Sequence, residues 1–573
     1  MVQPNLSFSK AVFKILWPYW RSEKKWEALF LLLCSGSFLA AFVFTQLELN
    51  YWGNDFYTAL QEFRMNDFFG LLKKFSYLAA LAISTYVLAF YAQKHLELRW
   101  RKWLTHFYIQ KWLSHRNYYH LLLAGSQTDN PDQRIAEDVG HFCSETIRLF
   151  LDAFRNILML IAFLGVLWVL SGTLKIPLGD KVLEVPGYMF WAGLIYAIIG
   201  SFISVKIGNP LVPLNYEQEK READFRYSLI RFRENAEGIA LYSGENSENQ
   251  TFGNRFEYVY DNFKSIIKRS FMISGWISFY GQIAYVFPIL LIAPRYFAKE
   301  VTFGALMQTI GACNHVNTAL SFFVDQYPAI AHWKATTNRL LVFLGEMEEL
   351  EKLPKEIRIS PHPEPSIISC RNLTIFLPHE KILFENLNLK FQKGEHTLIK
   401  GPSGIGKSTL MRTLSGLWPY GSGQIQLPTQ SPMFLPQKPY MPLGTLKEIL
   451  TYPEDHAKLE EKDFLNLLDL VGLENLSGRL NEIDDWARVL SLGEQQRVSI
   501  LRALIQKPQW LLMDEATSSL DEDSERKVFE LLQHVLKETT FISVGHRASL
   551  LAWHPRVISL EDLFQGSSMM INA

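Results

Sequence analysis

The sequence predicts a bundle of six membrane-spanning helices followed by an α/β domain built on a mainly parallel sheet. Three observations carry this expectation. Six long stretches up to Val324 contain no Asp, Glu, Lys or Arg. After Val324 the hydropathy falls, and short apolar runs alternate with helical stretches, as in a parallel sheet with crossover helices. Across the 573 residues, charged side chains make up 20 %, below the roughly 25 % of soluble proteins, while 40 Phe, 23 Tyr and 15 Trp supply apolar surface.

The elements follow in order. Residues 1–25 carry Phe8, Ala11, Val12, Ile15, Leu16 and Tyr19 at helical spacing, which suits a helix lying in the membrane interface or packed on the bundle. Neither a secretory cleavage site nor a short isolated apolar core is expected there. A membrane domain is expected over 26–345, with spans at Ala28–Thr45, Phe75–Ala92, Ile157–Gly172, Tyr188–Val205, Phe271–Ala293 and Val301–Val324. The third is short, so Arg155 would snorkel to the interface. Lys10, Lys14, Arg21, Lys24 and Lys25, opposed by Glu23 alone, place the N-terminus in the cytoplasm. The charged stretches Gln93–Arg155 and Lys206–Ser270 then also lie inside, as helices reaching beyond the bilayer. A linker is expected over 346–365, from the charged Glu346–Lys355 and the prolines Pro361–Pro365. The α/β domain occupies 366–573, with strands at Thr397–Ile399, Trp510–Met513 and Phe541–Val544.

Charge and cysteines narrow the function classes. With 57 basic against 58 acidic residues, the net charge of -1 offers no electrostatic footprint for nucleic acid. The four cysteines, Cys34, Cys143, Cys313 and Cys370, are far apart and in no zinc or redox spacing, so they read as small buried apolar residues.

The chemistry is concentrated in the second half. Gly401-Pro402-Ser403-Gly404-Ile405-Gly406-Lys407-Ser408 satisfies G-x-x-x-x-G-K-[ST] after an apolar strand and before the helical stretch that opens at Thr409. Glycines let backbone N–H groups turn in on phosphates, Lys407 reaches the β and γ oxygens, and Ser408 can ligate Mg²⁺. Downstream, a strand ends in Asp514-Glu515. At the carboxyl end of a parallel strand, Asp514 can hold the Mg²⁺ shell and Glu515 can polarise the attacking water. His546 ends the next strand, near the expected γ-phosphate, where a lone histidine would more often be structural.

Leu490-Ser491-Leu492-Gly493-Glu494-Gln495-Gln496-Arg497 resembles the signature sequence of ATP-binding cassette (ABC) proteins. Pro436-Gln437 is similar to the glutamine loop, Ser519-Leu520-Asp521 to the D-loop, and His546 to the switch histidine. The resemblance implies an exporter-like membrane fold joined to an ABC ATPase that uses ATP and Mg²⁺. It implies that Ser491, Leu492, Gly493 and Glu494 act in trans on ATP at the partner's phosphate loop, that Gln437 joins the Mg²⁺ site and couples it to the membrane part, and that Asp521 crosses the dimer seam. One ATPase domain per chain implies a homodimer. Leu492 and Glu494 replace the usual Gly and Gln, and Leu377 stands where an aromatic residue usually stacks on adenine, with Phe376 one place earlier.

The membrane half points to one branch. Asn130–Asp138, Glu234–Tyr242, Tyr296–Ala298 and Phe322–Asp325 resemble the permease of the SbmA/BacA-like group, which includes fused bacterial cobalamin and peptide-antibiotic transporters and is related to the acyl-CoA transporters of ABC subfamily D. Gly416–Gly423 is equally typical. Direct reading of the spans adds Asn314, Asn317, Ser321 and Asp325 on one helical face, with His315 and Gln308 beside it, and Ser274, Ser278 and Gln282 aligned on the preceding span. Such residues line a hydrated cavity or hydrogen-bond helices together. The expected function is ATP-driven movement of an organic solute, such as cobalamin, a peptide or a similar amphiphile, through a bacterial inner membrane. Export of acyl-CoA or lipid-like molecules, and a sensor ATPase that moves no solute, are the alternatives.

Overall fold

The structure, a computed structural model, describes residues 8–125, 130–178, 181–352, 356–362, 364, 366–378, 381–429, 432–454 and 459–561. They form two compact units, one from the described parts of 1–121 and 126–351, the other from 122–125 and the described parts of 352–573.

The first unit is helical. Its long helices are α1 (Phe8–Arg21), α2 (Lys25–Gln61), α3 (Met65–Leu113), α4 (Val139–Ser171), α5 (Tyr188–Gly208), α6 (Leu211–Glu234), α7 (Glu245–Phe297), α8 (Phe303–Asp325) and α9 (Tyr327–Lys352). Five helical stretches, Lys25–Gln61, Met65–Leu123, Pro131–Ser171, Tyr188–Glu234 and Glu245–Phe297, are long and apolar enough to cross a membrane. Helix α8 packs among α2, α4, α5 and α7 and carries Gln308, Asn314, His315 and Asn317; it is not among those five. Between α4 and α5 an antiparallel hairpin, β1 (Thr173–Leu178) and β2 (Lys181–Pro186), replaces an open connection.

Helix α1 turns Val12, Ile15 and Tyr19 into the protein, where Tyr19 stacks on Trp100 of α3 with ring centroids 5.6 Å apart. Protein therefore covers these residues of the face expected to lie in the membrane surface, while Phe13 and Trp17 face outward. Leu96, Trp100, Leu104 and Tyr108 fall four residues apart along α3, and this stripe is wholly buried with Phe142, Phe343 and Leu344. It explains why α3 continues as helix far beyond its uncharged run.

The same region holds a buried ion cluster. Residues Arg134–Asp138 form a π-helical turn just before α4, a geometry that re-aims side chains. Asp138 is buried and accepts hydrogen bonds from Arg134 Nη1 at 2.7 Å and from Arg339 Nε and Nη2 at 2.9 and 2.8 Å. Replacing Asp138 by Ala removes the carboxylate that the two guanidinium groups share, leaving Glu219 nearby to offset Arg339. The expected loss is about 3 kcal/mol, at the lower end for buried pairs because Arg339 keeps a third of its surface in water. Thermal unfolding in detergent measures it, and an unchanged melting temperature contradicts the structural role.

The described residues of the second unit form two larger sheets and a short antiparallel pairing of Gly444–Thr445 with Ile483–Asp484. Strands β11 (Arg556–Ser559), β6 (Thr397–Lys400), β10 (Thr540–Val544), β9 (Trp510–Asp514) and β8 (Met433–Leu435) pair in that spatial order, all parallel. The second sheet has the order β3 (Ile357–Pro361), β7 (Gly421–Leu427), β4 (Ile367–Phe376), β5 (Ile382–Gln392). Residues 357–361, expected in a linker, are strand β3, paired in parallel with β7, and residues 346–352 continue helix α9. The linker expectation fails there because a five-residue strand beside prolines has no readable alternation and finds its partner far along the chain.

Strands β9 and β10 are buried along their full length, so they read as unbroken apolar runs rather than alternating ones. Behind β10, His554 is buried between Ser543 Oγ at 2.7 Å from Nε2 and the Leu550 carbonyl at 2.8 Å from Nδ1. The carbonyl can accept and not donate, so Nδ1 carries the proton and Nε2 accepts from Ser543. Burial pushes the ring pKa from 6.5 down to about 4. Between those values the unfolded chain holds a proton that the folded chain lacks. Stability therefore falls as pH drops through this window, by on the order of 3 kcal/mol. In a His554→Gln variant, denaturant midpoints should vary less with pH across that window; an unaltered slope would assign the acid sensitivity to other groups.

Candidate functional site

Strand β6 leads into the loop Gly401–Gly406, and helix α10 (Lys407–Leu414) leaves it. Gly406 sits at φ +102°, a conformation that favours glycine, and a Cβ there would also press on the Leu383 side chain. Lys407 folds back across the loop and donates from Nζ to the carbonyls of Gly401 and Pro402, each at 2.9 Å. Burial holds its ammonium below the usual lysine range, opposed by nearby Glu515 and Asp514. Pro402, Ser403, Gly404 and Ile405 form the loop, and Thr409 lies in the first turn of α10.

Ser408 Oγ donates to Asp514 Oδ1 at 2.9 Å, which brings the end of β9 to the start of α10. Burial raises the Asp514 carboxyl above its ordinary value, partly offset by the Ser408 hydroxyl. Glu515 follows with φ +50°, a left-handed conformation uncommon for a residue with a side chain. Its backbone N–H donates to the Val544 carbonyl at 3.1 Å. The turn presents its carboxylate to two partners: Gln437 Nε2 donates to Oε2 at 2.9 Å, and His546 Nε2 is 3.5 Å from Oε1. The five positions singled out for hydrolysis, Lys407, Gln437, Asp514, Glu515 and His546, thus belong to one linked cluster.

The signature segment opens helix α11 (Leu492–Gln506). Ser491 caps it: Ser491 Oγ accepts from the Glu494 N–H at 3.3 Å, and the Glu494 carboxylate accepts from Ser491 N and Oγ at 2.9 and 2.8 Å. Glu494 thus completes a capping box, a role that the Gln usual at this position can also fill. A Cβ on Gly493 would lie 3.2 Å from the Ser519 carbonyl oxygen, so the D-loop packs tightly on this turn. Leu492 is exposed. Asp521 caps helix α12 (Glu522–Val535), accepting from Ser524 N and Oγ at 2.9 and 2.7 Å, and these bonds hold its carboxyl below the usual range.

Gln496 is a residue whose position sequence reasoning did not single out. It is fully buried; its Nε2 donates to the Gln437 carbonyl at 3.0 Å and its Oε1 accepts from Ser519 N at 3.0 Å. One amide thus ties α11 to the glutamine loop and the D-loop. The signal available was a polar residue one turn before Ile500 on a helix otherwise rich in apolar residues. At the edge of the site, Leu377 packs with Leu383 and Ile405 against the core, and the Phe376 carbonyl accepts from Trp418 Nε1 at 2.8 Å.

In the helical unit the polar positions divide. Asn317 Oδ1 accepts from Tyr280 Oη at 2.6 Å, His315 stacks on Phe163 with centroids 4.1 Å apart, and buried Gln308 accepts at Oε1 from Asn54 Nδ2 at 2.8 Å. These three bind helices together. Tyr280 itself fits because a Cβ on Gly200 would lie 2.1 Å from its ring. Gln282 and Asp325 are exposed, Asn314 and Ser321 half-buried. Asp325 also lines a cavity of about 190 Å³ with Ser204, Asn209, Asn215, Ile273 and Ile277.

Comparison with known proteins gives the family. Residues 12–297 match ABC transporter transmembrane region 2, and residues 384–518 match the ABC transporter family. An ABC transporter ATP-binding protein of Haemophilus influenzae is 37 % identical over 511 residues, 89 % of this chain and 85 % of that protein. The inner membrane ABC transporter ATP-binding protein YddA of Escherichia coli is 32 % identical, over 93 % of this chain and 94 % of its own length. The lysosomal cobalamin transporter ABCD4 of Homo sapiens is 27 % identical, over 96 % of this chain and 93 % of its own. A multi-pass helical membrane region, a phosphate loop with its acids in order, and relatives aligned over nearly their full length lead to one conclusion: the chain belongs to the ABC transporter family, as a half-transporter that binds ATP and couples its hydrolysis to transport.

Proposed function

We propose that two copies of this chain form a transporter that moves an organic solute, cobalamin or a peptide or similar amphiphile, across a bacterial inner membrane, with the N-terminus and ATPase unit in the cytoplasm. The observation that carries the reading is the Glu515 carboxylate, held by Gln437 and faced by His546, one residue after an aspartate bonded to the phosphate-loop serine. ATP is taken by Gly401–Thr409, with Lys407 on its terminal phosphates. The donor set fits Mg²⁺, since Ser408 hydroxyl, Asp514 carboxylate and the Gln437 amide are hard oxygen ligands of the kind that cation takes. When bound, it neutralises charge on the phosphates. Glu515 orients and polarises the water, and His546 contacts the γ-phosphate.

Each chain has one phosphate loop and one signature, so Ser491, Leu492, Gly493 and Glu494 complete the partner's site and Asp521 crosses between them. Closure of the ATPase pair then changes the side that the membrane cavity faces. Asp325 and Gln282 line that cavity in this reading, with Asn314 and Ser321; His315 and Asn317 position its walls. The identity of the human relative as a cobalamin transporter supports cobalamin as the first solute to test.

The test uses proteoliposomes with ATPase units outward and labelled cobalamin inside, with ATP added outside. ATP-dependent loss of label from wild type, absent in Glu515→Gln, is expected. Steady hydrolysis with no movement of cobalamin would remove it as the solute and bring peptides, acyl-CoA and a sensor role forward.

A further inference from the structure

The loop after His546 and the loop after Glu515 are joined by an interlocked set of polar contacts that the reaction chemistry above does not use. Arg547 donates from Nη1 to the Leu520 carbonyl at 2.6 Å and from Nη2 to the Ser518 carbonyl at 2.9 Å. Beneath it lies Glu525, 1 % exposed. Glu525 Oε1 accepts from Thr517 Oγ1 at 2.7 Å, its Oε2 accepts from Ser549 Oγ at 2.6 Å, and Arg547 Nη1 is 3.6 Å from Oε1. Thr517, Ser518 and Leu520 belong to the stretch from Glu515 to Asp521; Arg547 and Ser549 directly follow the histidine. A buried carboxylate and a forked guanidinium therefore bind the two loops at four points.

The physical consequence is rigidity in one direction. A buried carboxylate is costly unless its oxygens are bonded, so Glu525 fixes Thr517 and Ser549 relative to each other. The planar guanidinium spans two carbonyls at once, which an ammonium cannot do. Both loops begin at residues of the reacting cluster: the Glu515 carboxylate and the His546 ring stand 3.5 Å apart.

We infer that Arg547 and Glu525 are positioning residues for ATP hydrolysis: they hold the D-loop stretch and the histidine loop as one body, so that Glu515 and His546 meet the γ-phosphate and the water in register. Their hydrogen bonds go to the D-loop stretch and Ser549 and not to the phosphate loop, which sets their role apart from ATP binding. The inference rests on ATP hydrolysis by this chain and is independent of which solute is moved.

Arg547→Lys is the primary test, because it keeps the charge at a partly exposed site and leaves folding intact. Steady-state phosphate release by the full-length protein in detergent should show kcat lowered about tenfold to hundredfold, as expected when reacting groups are misplaced by about an ångström, with KM for ATP within about twofold of the parent. Thr517→Val, which removes one bond to Glu525, should lower kcat less. Because the contacts act as a unit, the double variant should cost no more than Arg547→Lys alone. Wild-type kcat in Arg547→Lys, a loss that appears in KM instead, or additive losses in the double variant would each overturn the inference. A purely structural role would lower the melting temperature and the active fraction, which by itself lowers apparent kcat at constant KM. The kcat is therefore expressed per ATP-binding site counted by nucleotide titration; on that basis a structural role leaves it unchanged.

Discussion

Glu515→Gln is expected to lower ATP hydrolysis by roughly a hundredfold to ten-thousandfold, the range that a positioned general base contributes, while ATP still binds. The amide keeps the shape of the carboxylate and still has an oxygen that can accept from Gln437 Nε2, now at 2.9 Å from Oε2. It cannot take up a proton from water. The variant should therefore accumulate as an ATP-bound pair of chains, seen as a shift to the two-chain species on size exclusion with ATP. Phosphate release at the parent rate would take the water-activating role from Glu515. Loss of ATP binding together with hydrolysis would make it part of the nucleotide-holding machinery instead.

Lys407→Ala should act on the other half of the cycle. A charge-assisted hydrogen bond contributes about 1.5–3 kcal/mol, so losing one to a phosphate weakens ATP binding roughly tenfold to 150-fold. The same substitution should leave thermal stability without ATP nearly unchanged, because burial disfavours the ammonium and Ala loses two carbonyl bonds along with that cost. The ATP-induced rise in melting temperature, which grows with the logarithm of ligand over Kd, should shrink accordingly. Calorimetry returning the parent affinity would contradict the cradle assignment.

Much of this arrangement was legible in the sequence, for definable reasons. The uncharged runs located helices because a bilayer demands apolar length, and the phosphate loop, acids and histidine were legible because each sits at the end of its own buried strand. The charged stretch Gln93–Arg155 reads as helix beyond the bilayer, but the lysines and arginines among Leu96, Trp100, Leu104 and Tyr108 hide that these four form one buried stripe. Strand β3 was missed because its pairing with β7 is remote in sequence. On α8, periodicity puts Asn314, Asn317, Ser321 and Asp325 on one face with His315 and Gln308 beside it and leaves open a cavity or helix-to-helix bonding; Gln308, His315 and Asn317 have partners on α2, α4 and α7, which periodicity cannot name. Gln496, Glu525 and Arg547 escaped notice for the same reason. Their meaning lies in contacts between loops, not in spacing along one.

The cluster around Asp138 has a consequence for how the chain is made. Asp138 and Arg339 are 201 positions apart, and Tyr108 reaches across 232 to the Leu340 carbonyl. At 5–20 residues per second, a ribosome takes about 10–40 s to travel from the aspartate to its arginine. For that interval the start of α4 has one guanidinium from its own turn and lacks the other. The helical unit closes at its base with the last helix synthesised, so its completion coincides with the first emergence of the ATPase strands.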